Sequence, residues 1–463
     1  MAKINKFMFR EYDLRGRVND EELNEKSMGL IGKGLGTFLI RKDIKDMVVG
    51  YDLRTYSEGL KNALIKGLRY TGCNIIDIGL CLTPTLYFAQ YHFQVKGGAM
   101  VTASHNPNGW SGVKMADDYS KTLIEELQEI YKLIVNDDFE KGEGSYRKED
   151  IKEVYINDMA KRIKLAHPLK VVIECGNGGG GLFAPEALRR VGCEVTELYC
   201  EPDPTFPHHN PNPETKEAKE VLGKKVKEVG ADIGIGVDGD GDRLGVVDEK
   251  GNNIWSDRLL ILLARQALKK NPGGKIVFDV KCTQALIEDI KAHGGIPIMW
   301  KTGHSYIKRK THEEGAILGG ERSGHFFIKD NYYGFDDAVF SALRVVEYLA
   351  AQPESLSKLI ESTPSYVISP TIHVSCPDDK KYDVVNQLTE EFKKEYGEEK
   401  VIDINGARVM FDDGWGLVRP SSNIPVLVLV FEAKTEKRMN EIKELFSEKL
   451  NKFPEVDKKW ENE

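Results

Sequence analysis

The sequence predicts an α/β protein made of several domains. Apolar runs alternate with stretches of helical periodicity along most of its 463 residues, which is typical of layered α/β architecture. A chain of this length exceeds what one ordinary hydrophobic core holds, so three or four domains are expected. Three segments, residues 47–52, 171–175 and 276–280, each predict a strand followed by a polar turn and a helix.

The sequence also indicates where two helices begin. Ser57 is predicted to cap a helix that ends near Gly72, because a serine hydroxyl can accept a hydrogen bond from an unpaired N–H of the first turn. Ser256 and Asp257 are predicted to start an apolar helix that runs through Leu268.

Composition limits the classes of function. Hydrophobic residues make up 41% of the chain and charged residues 30%, which is typical of a soluble globular protein. No apolar run approaches the roughly 18 residues that a membrane helix needs, and the start of the chain lacks the apolar core of a signal peptide. We therefore expect a cytoplasmic protein without a membrane partner. The net charge of −8 gives no support to nucleic-acid binding, and seven cysteines without a CxxC pair predict reduced thiols.

A serine at the end of a predicted strand is the first candidate for chemistry. Ser104 lies in the segment Thr-Ala-Ser-His-Asn-Pro, immediately after the apolar run 99–101. Such a serine can act as a nucleophile or carry a phosphoryl group if nearby groups stabilise the charge. Taken alone, the segment favours an ordinary Asn-Pro turn whose hydroxyls satisfy backbone groups.

Three alternating aspartates provide the context that the serine needs. Asp238, Asp240 and Asp242 are separated by glycines and follow the predicted strand 233–237. Glycines let the chain turn tightly, so the three carboxylates can converge on one hard cation such as Mg²⁺ or Ca²⁺. This spacing therefore predicts a metal site.

Other interpretations of these segments fit less well. The aspartates could form a purely structural acidic turn, or an EF-hand loop, but the sixth position of that loop holds Arg243 where a glycine is needed. The flanks also predict strands, whereas an EF-hand has helices. A hydrolase nucleophile elbow is not supported, because Ser111 lacks the last glycine of that motif. His105 is expected to point away from Ser104, as neighbours do in an extended segment.

The chain resembles the α-D-phosphohexomutase superfamily, and specifically its phosphomannomutase/phosphoglucomutase branch. The Ser104 segment and the aspartate loop carry this resemblance together with three further motifs in the family's order. These are Phe-Arg-Glu-Tyr-Asp-Leu-Arg-Gly at 9–16, Gly-Gly-Glu-Arg-Ser-Gly-His at 319–325 and Arg-Pro-Ser-Ser-Asn-Ile-Pro at 419–425. Separate motifs in a shared order argue against chance similarity.

The resemblance implies three topologically similar α/β domains with mixed sheets, a smaller C-terminal α+β domain, and an active site in the central cleft. We expect domain I at 1–149 with the phosphoserine loop and domain II at 150–252 with the metal-binding loop. Domain III is expected at 253–365 with the sugar-binding loop, and domain IV at 366–463 with the phosphate-binding loop.

The resemblance also implies the reaction. A mutase of this family transfers a phosphoryl group from its serine to a sugar monophosphate, and takes the other phosphoryl group back after the bisphosphate has turned over. The chain is therefore expected to interconvert hexose 1-phosphate and hexose 6-phosphate, with mannose or glucose as the sugar. The implied cofactors are Mg²⁺ and a hexose 1,6-bisphosphate such as glucose 1,6-bisphosphate, and the implied partners are small-molecule sugar phosphates.

Several cations are expected around the serine. Phosphoserine brings about −1.5 to −2 charge, so together with three aspartates it leaves the site negative even when one divalent ion is bound. Lys114 and Arg243, with Arg15 by family analogy, are expected to offset that charge. His325, His304 and Lys114 are left open as the general acid/base. The residues that the resemblance implies around Mg²⁺ are Ser104 through its phosphate, Asp238, Asp240 and Asp242.

The resemblance places the substrate contacts in domains III and IV. Glu321 and Ser323 are expected to bind the O3 and O4 hydroxyls, which glucose and mannose share, so both sugars should be accepted. Arg322 stands where the family commonly has methionine, and it is expected to add a charge beside the sugar. The other implied contacts are Lys281, His304, and a phosphate loop made of Arg419, Ser421, Ser422 and Asn423. That loop departs from the family's usual Ser-Asn-Thr order but keeps its hydrogen-bond donors.

Three other functions remain open at the level of sequence. Phosphoglucosamine mutase is the alternative within the superfamily, although the strings at 9–13 and 302–305 favour the phosphomannomutase/phosphoglucomutase branch. A noncatalytic protein that binds metal or sugar phosphate would keep the loops, but it would not need Ser104 together with Lys114 and Arg243. A phosphatase would have to admit water freely to the same site.

Overall fold

The computed structural model describes residues 4–422 and 424–462 and shows four successive domains, each with its own β-sheet. Over the described residues, no helix combines the length and the apolar character needed to cross a membrane.

Domain I alternates strands and helices after a short 3-10 helix at Lys6–Met8. Its strands are β1 (Leu14–Arg17), β2 (Asp46–Tyr51), β3 (Asn74–Leu80), β4 (Gly97–Val101), β5 (Trp110–Asp118), β6 (Lys121–Thr122) and β7 (Tyr146–Lys148). Its helices are α1 (Glu25–Ile40), α2 (Ser57–Tyr70), α3 (Thr83–Phe93) and α4 (Leu127–Val135). The strand order is β1-β5-β4-β2-β3-β7, with β6 beside β5, and β5 runs antiparallel to both of its long neighbours.

Domain II has a smaller sheet of the same kind. Its strands are β8 (Lys170–Glu174), β9 (Glu194–Leu198), β10 (Ile233–Val237), β11 (Leu244–Asp248) and β12 (Asn253–Ile254). Its helices are α5 (Lys152–Ala160), α6 (Ala184–Arg190), α7 (Lys216–Val229) and a 3-10 helix at Gly179–Leu182. The strand order is β12-β11-β10-β8-β9.

Domain III follows the same plan. Its strands are β13 (Lys275–Asp279), β14 (Ile296–Trp300), β15 (Leu318–Gly320) and β16 (Phe326–Ile328), in the order β14-β13-β15-β16. Its helices are α8 (Ser256–Lys270), α9 (Gln284–Ala292), α10 (His304–Glu313), α11 (Ala338–Ala350) and α12 (Leu356–Glu361).

Domain IV packs two long helices on an antiparallel sheet. Its strands are β17 (Val367–Ile368), β18 (Ile372–Ser375), β19 (Val401–Ile402), β20 (Ala407–Phe411), β21 (Gly414–Pro420), β22 (Val426–Ala433) and β23 (Trp460–Asn462). Its helices are α13 (Lys381–Tyr396), α14 (Glu436–Leu450) and a 3-10 helix at Glu398–Lys400. The strand order is β19-β20-β21-β22-β18-β23, with β17 beside β22.

The first three domains repeat one arrangement of four strands. The orders β3-β2-β4-β5, β9-β8-β10-β11 and β14-β13-β15-β16 each place the first strand between the second and the third. The first three strands are parallel, and the fourth is antiparallel to the third. The expectation of three topologically similar α/β domains and a C-terminal α+β domain is thereby confirmed.

This repeat places three sequence motifs at equivalent positions. The connection from the third strand to the fourth carries Ser104 in domain I, residues 238–243 in domain II and residues 321–325 in domain III. Because functional loops of such sheets lie at the carboxyl ends of the parallel strands, the three connections can face one cleft.

Apolar packing holds the first three domains together. One continuous core of buried side chains contains Val48 and Tyr87 of domain I, Val171 of domain II, and Ile276 and Phe340 of domain III. The other face of the domain I sheet and the domain IV sheet have separate cores. Domains I to III therefore form a shared frame on which their loops are placed.

The prediction for Ser57 is wrong in one respect. Helix α2 begins at Ser57, its N-cap residue is Tyr56, and no side chain caps that helix end within the described residues. The Ser57 hydroxyl instead donates to Asp52 Oδ1 at 2.6 Å, because Asp52 lies beside the helix start and is a stronger acceptor. Helix α8 begins at Ser256, as the sequence predicts.

Candidate active site

Ser104 occupies a buried turn between β4 and β5. Its side chain is close to fully buried, and its backbone φ is +50°, in the left-handed region that residues other than glycine rarely adopt. Its amide donates to Thr102 Oγ1 at 2.8 Å, and its Oγ lies 2.8 Å from Asp238 Oδ2 of domain II. The turn therefore directs the hydroxyl across the domain boundary at the aspartate loop.

The expectation that His105 points away from Ser104 is wrong. Ser104 Oγ lies 3.1 Å from His105 Nδ1. The opposite-face rule holds for extended chain, and the left-handed conformation of Ser104 brings the two side chains to one side. Burial and the positive charges of Arg243 and Arg15 lower the pKa of His105 well below its usual value. The neutral ring can therefore accept a hydrogen bond from the hydroxyl.

The three aspartates lie in one tight loop between β10 and β11. A ligand oxygen from each of Asp238, Asp240 and Asp242 lies within 4.8 Å of the other two, and all three residues are fully buried. Asp238 Oδ1 accepts hydrogen bonds from the backbone N–H groups of Asp242 (3.0 Å) and Arg243 (3.1 Å), which fixes the loop. Strands flank this loop where an EF-hand would have helices.

Oxygens of this loop are oriented for a cation. Within the described chain, Asp240 Oδ1 and Asp242 Oδ1 are buried and have no hydrogen-bond partner, whereas Asp240 Oδ2 accepts from Thr83 Oγ1 at 2.6 Å. Burial of an unpaired carboxylate oxygen is unfavourable, and an all-oxygen donor set suits a hard divalent ion. The residues present therefore fit Mg²⁺.

Lys114 brings a positive charge to the same loop. Its position on β5, opposite Met100, points Nζ at Asp242 Oδ2 and at Asp240 Oδ2, which lies 2.9 Å away. Burial acts to lower the pKa of Lys114, but the two carboxylates raise it well above its usual value. Burial and the neighbouring carboxylates also raise the pKa of Asp238. Lys114 thus stays protonated, and the loop still holds excess negative charge.

Two stacked histidines adjoin the aspartate loop. The rings of His304 and His325 lie 5.4 Å apart, and their Nδ1 atoms face Asp336 Oδ2 at 3.5 and 3.4 Å. Arg243 Nε donates to His325 Nε2 at 3.1 Å, so a neutral ring carries its proton on Nδ1. Burial acts to lower the pKa of His325, but Asp242 and Asp336 raise it above its usual value. His325 Nδ1 also lies 3.7 Å from Asp242 Oδ1. His325 therefore lies against the aspartate loop, and His304 lies on the far side of the His325 ring.

Arg15 adds a second guanidinium to the site. It lies on β1, opposite Gly112 of β5, and its Nη2 lies 3.2 Å from Asp13 Oδ2. Its Nη1 is buried and has no hydrogen-bond partner among the residues that the structure describes. Arg15 can therefore donate to an anion without giving up its ion pair.

The loop between β15 and β16 brings Glu321 and Ser323 together. Ser323 Oγ donates to Glu321 Oε2 at 3.1 Å, and the other carboxylate oxygen accepts from the backbone N–H of Gly303. Domain III also contributes Lys281, whose Nζ lies 3.7 Å from Asp279 Oδ2 at the end of β13. Carboxylate, hydroxyl and ammonium groups of this kind suit a polyhydroxylated ligand.

Arg322, expected to add a charge beside the sugar, has a partner outside its own loop. Its side chain is buried, its Nη2 donates to the backbone oxygen of Ser369 at 2.8 Å, and its guanidinium lies 4.8 Å from the ring centre of Trp255. Ser369 belongs to the linker between β17 and β18. Arg322 therefore connects the loop of domain III to domain IV.

Domain IV contributes a polar loop between β21 and β22. Arg419 lies on β21, and its Nη2 is 3.4 Å from Ser422 Oγ. Its Nε is buried without a partner in the described part of the chain. The Ser421 amide donates to Val426 O at 3.0 Å, which closes the turn. Asn423, the remaining predicted member of this loop, lies outside the described residues.

Some site residues were not anticipated from the sequence. Tyr12 packs edge-on against His304 with ring centres 5.4 Å apart. Burial, Glu321 and Asp13 raise the pKa of Tyr12 and Arg419 opposes them, so the loops of domains III and IV both lie near this ring. The position of Tyr12 inside the motif at 9–16 could have indicated that it belongs to the site. Asp336 carried no motif at all, because only the packing of domain III brings it to the two histidines.

The fold and the site define an enzyme of the phosphoryl-transfer class. Three repeated domains present a buried serine, an acidic loop that fits a divalent ion and a polar loop to one cleft, and buried cations surround them. Phosphoryl transfer needs this combination of a positioned oxygen, a divalent ion and compensating positive charge.

Comparison with known proteins identifies the family. Residues 6–141, 152–251, 255–366 and 372–449 match the models of phosphoglucomutase/phosphomannomutase domains I, II, III and the C-terminal domain. The chain belongs to the phosphoglucomutase/phosphomannomutase family. It is an intramolecular phosphotransferase, that is, a hexose phosphate mutase.

Individual relatives agree with this assignment. A phosphomannomutase/phosphoglucomutase of Pseudomonas syringae pv. tomato is 41% identical over 97% of this chain and 96% of its own length. A crystal structure of a phosphoglucomutase/phosphomannomutase family protein from Burkholderia thailandensis superposes with a TM-score of 0.90 at 37% identity, covering 97% of this chain and 98% of that one. An Aspergillus fumigatus N-acetylphosphoglucosamine mutase variant, solved with glucose 1,6-bisphosphate, shares the fold with a TM-score of 0.62 at 12% identity, over 98% of this chain and 96% of that one.

Proposed function

We propose that this enzyme interconverts the 1- and 6-phosphates of glucose and mannose by way of a phosphorylated Ser104 and a bound hexose 1,6-bisphosphate. The observation that carries the proposal is the 2.8 Å approach of Ser104 Oγ to Asp238 Oδ2, beside oxygens that fit Mg²⁺. A serine with this neighbour is placed to hold a phosphoryl group next to a cation.

The proposed metal ligands are Asp238, Asp240, Asp242 and one oxygen of phosphorylated Ser104. Mg²⁺ bound there would polarise the phosphoryl group as a Lewis acid. The protein's own cations take up the remaining negative charge: Lys114 contacts two of the aspartates. The charges of Arg243 and Arg15 both lower the pKa of His105, and these guanidinium groups can stabilise the negative charge that develops on the moving phosphoryl group.

His325 is the proposed general acid/base for the sugar hydroxyl. Lys114 is held in its charged form by two carboxylates, so it is poorly suited to accept a proton. His325 lies directly against the metal loop, and Asp336 with Arg243 fixes its ring. His304, one ring further out, is proposed as a substrate contact.

Sugar recognition is proposed to rest on Glu321 and Ser323, with Lys281 as a further contact. The paired carboxylate and hydroxyl can accept and donate hydrogen bonds to two adjacent sugar hydroxyls. In the family these are O3 and O4, which glucose and mannose share. A site that contacts only shared hydroxyls tolerates either configuration at C2.

The phosphate that is not being transferred is proposed to bind the loop of Arg419, Ser421, Ser422 and Asn423. The guanidinium has a buried donor free of partners in the described part of the chain, and the Ser422 hydroxyl lies beside it. After the bisphosphate turns over, the same loop would hold the other phosphate. One loop therefore serves both directions of the reaction.

The proposal is tested by intact mass measurement with peptide mapping. The purified enzyme, incubated with glucose 1,6-bisphosphate, should carry one phosphate on Ser104, removable by glucose 1-phosphate or mannose 1-phosphate. Ser104→Ala should lose most mutase activity, whereas Ser111→Ala, which changes another buried serine of domain I, should keep it. Phosphate only on other residues would reject the assignment of Ser104. Turnover of glucosamine phosphate alone would reject the assignment of glucose and mannose.

A further inference from the structure

The turn that presents Ser104 is held by a buried ion pair from the neighbouring strand. Asp52 and Arg54 follow β2 directly, their side chains are each 1% exposed, and Arg54 Nη1 contacts Asp52 Oδ2. Because β2 pairs in parallel with β4, the ends of the two strands lie side by side. The ion pair therefore lies against the residues that follow β4.

Asp52 accepts hydrogen bonds from the first part of this turn. Its Oδ2 accepts from the backbone N–H of Ala103 at 3.1 Å and from Thr102 Oγ1 at 2.9 Å. Thr102 Oγ1 in turn accepts from the Ser104 amide at 2.8 Å. Oδ1 is held by the Ser57 hydroxyl at 2.6 Å, so the carboxylate itself is fixed.

Arg54 donates to the second part of the same turn. Its Nη2 donates to the backbone oxygen of Ser104 at 2.9 Å and also contacts the backbone oxygen of Asn106. A guanidinium presents its donors in a rigid planar fork, so it constrains direction as well as distance. Three backbone groups around one serine are thus hydrogen-bonded to a single ion pair.

These contacts explain how Ser104 keeps an unfavourable conformation. A left-handed φ of +50° is costly for serine, and such a conformation persists only where surrounding contacts over-determine it. The carbonyl that Arg54 binds also lies against the metal loop, since a Cβ on Gly239 would come within 2.6 Å of Ser104 O. A small rotation of this peptide would therefore move the serine relative to the aspartates.

Domain III uses a related contact at the equivalent position. Asp279, at the end of its first strand β13, accepts a hydrogen bond at 3.2 Å from the backbone N–H of Arg322 in the connection that follows the third strand. In domain I the matching bond joins Asp52 to Ala103. The repeat of this contact supports a role in placing the functional loop.

We infer that Asp52 and Arg54 are positioning residues for phosphoryl transfer, which fix Ser104 in its left-handed turn and thereby set the line of approach between Oγ, the metal loop and the sugar hydroxyl. This inference rests on the proposed role of Ser104 as the phosphoryl carrier. A displacement of about 1 Å in such a site can lower the rate about 10²-fold. Sugar binding depends on domains III and IV, so KM stays close to its original value.

The test compares Arg54→Lys and Arg54→Met with Lys61→Met. Lysine keeps the charge beside Asp52 but lacks the fork for both carbonyls, so this variant should fold. Lys61→Met removes another buried ion pair of domain I, Lys61 with Asp77 at 2.6 Å, which does not belong to the proposed site. It therefore controls for loss of domain stability alone.

We expect Arg54→Lys to lower kcat about 10-fold and Arg54→Met about 100-fold, with KM for glucose 1-phosphate changed less than about 2-fold. ³¹P NMR of the phosphorylated enzyme should show one narrow phosphoserine line in the wild type and a broadened or divided line in Arg54→Lys. Lys61→Met should lower the melting temperature but keep kcat per folded molecule and the narrow line.

Two outcomes would overturn the inference. The first is wild-type kcat and an unchanged phosphoserine line in Arg54→Lys. The second is a loss of kcat in the Arg54 variants that is fully explained by a smaller fraction of folded protein, with Lys61→Met as the reference for that loss. A different result, phosphate absent from Ser104 in the wild type, would reject the proposed phosphoryl carrier itself, so the two failures are distinguishable.

Discussion

The proposed phosphate-binding loop of domain IV allows a quantitative prediction for Arg419→Ala. Arg419 is 5% exposed, its hydrogen bond to Ser422 is long at 3.4 Å, and its Nε has no partner among the residues that the structure describes. Among the described residues, little hydrogen bonding is therefore lost within the free protein. The loss falls on the complex, where a charge-assisted hydrogen bond contributes about 1.5 to 3 kcal/mol.

That energy corresponds to a fall in kcat/KM of about 10- to 150-fold, since about 1.4 kcal/mol is a factor of ten. Both glucose 1-phosphate and glucose 6-phosphate should lose activity to a similar extent, because the loop is proposed to hold whichever phosphate is not transferred. Coupled steady-state assays in each direction measure this. The variant should still take up phosphate on Ser104 from glucose 1,6-bisphosphate, as measured by intact mass.

Arg438→Ala is the matched control from the same domain. Arg438 makes a surface ion pair with Asp413 at 2.9 Å on helix α14, and such pairs contribute at most about 1 kcal/mol to folding. Its kcat/KM should remain within about 2-fold of wild type. If Arg419→Ala also kept its kcat/KM, or lost activity in one direction only, the loop would not be the phosphate site proposed for it.

Three further predictions test other parts of the site. Asp240→Asn replaces a carboxylate that has a buried oxygen without a partner in the described chain, so it should raise the Mg²⁺ concentration for half-maximal activity at least about 10-fold. Full activity of this variant in EDTA would contradict the metal site. Arg322→Met should leave the ratio of glucose to mannose turnover within about 2-fold, because its guanidinium binds Ser369; a large change in that ratio, measured with both 1-phosphates, would place the charge beside the sugar. Burial raises the pKa of Asp337 from 3.8 to about 6, so wild type loses up to about 3 kcal/mol of stability between pH 4 and pH 7 relative to Asp337→Asn. Stability falls as pH rises because the unfolded chain releases this proton at a lower pH than the folded protein does. Urea unfolding at several pH values measures the effect. Parallel pH profiles of stability for wild type and Asp337→Asn would refute it.

The motifs determined much of the chemistry from sequence alone. Residue type and spacing indicate the chemistry of a serine after an apolar run and of three aspartates separated by glycines. Folding changes neither residue type nor spacing. The alternation of apolar runs likewise predicted the strands that carry them, since residues 233–237 form β10 as expected. These inferences depend on local physics, namely side-chain periodicity and the tight turns that glycine permits.

Only the tertiary structure decided how distant residues meet. Asp336 reaches the two histidines through the packing of domain III, and Asp52 with Arg54 reaches the Ser104 turn because β2 pairs with β4. The error for His105 has the same origin: the left-handed turn at Ser104 is maintained by contacts from another strand, and local sequence rules assume extended chain there. The contact of Arg322 with Ser369 was not predicted, because Ser369 lies in the next domain. Sequence fixes which groups are available, whereas pairing between strands and domains sets their distances, and phosphoryl transfer depends on those distances.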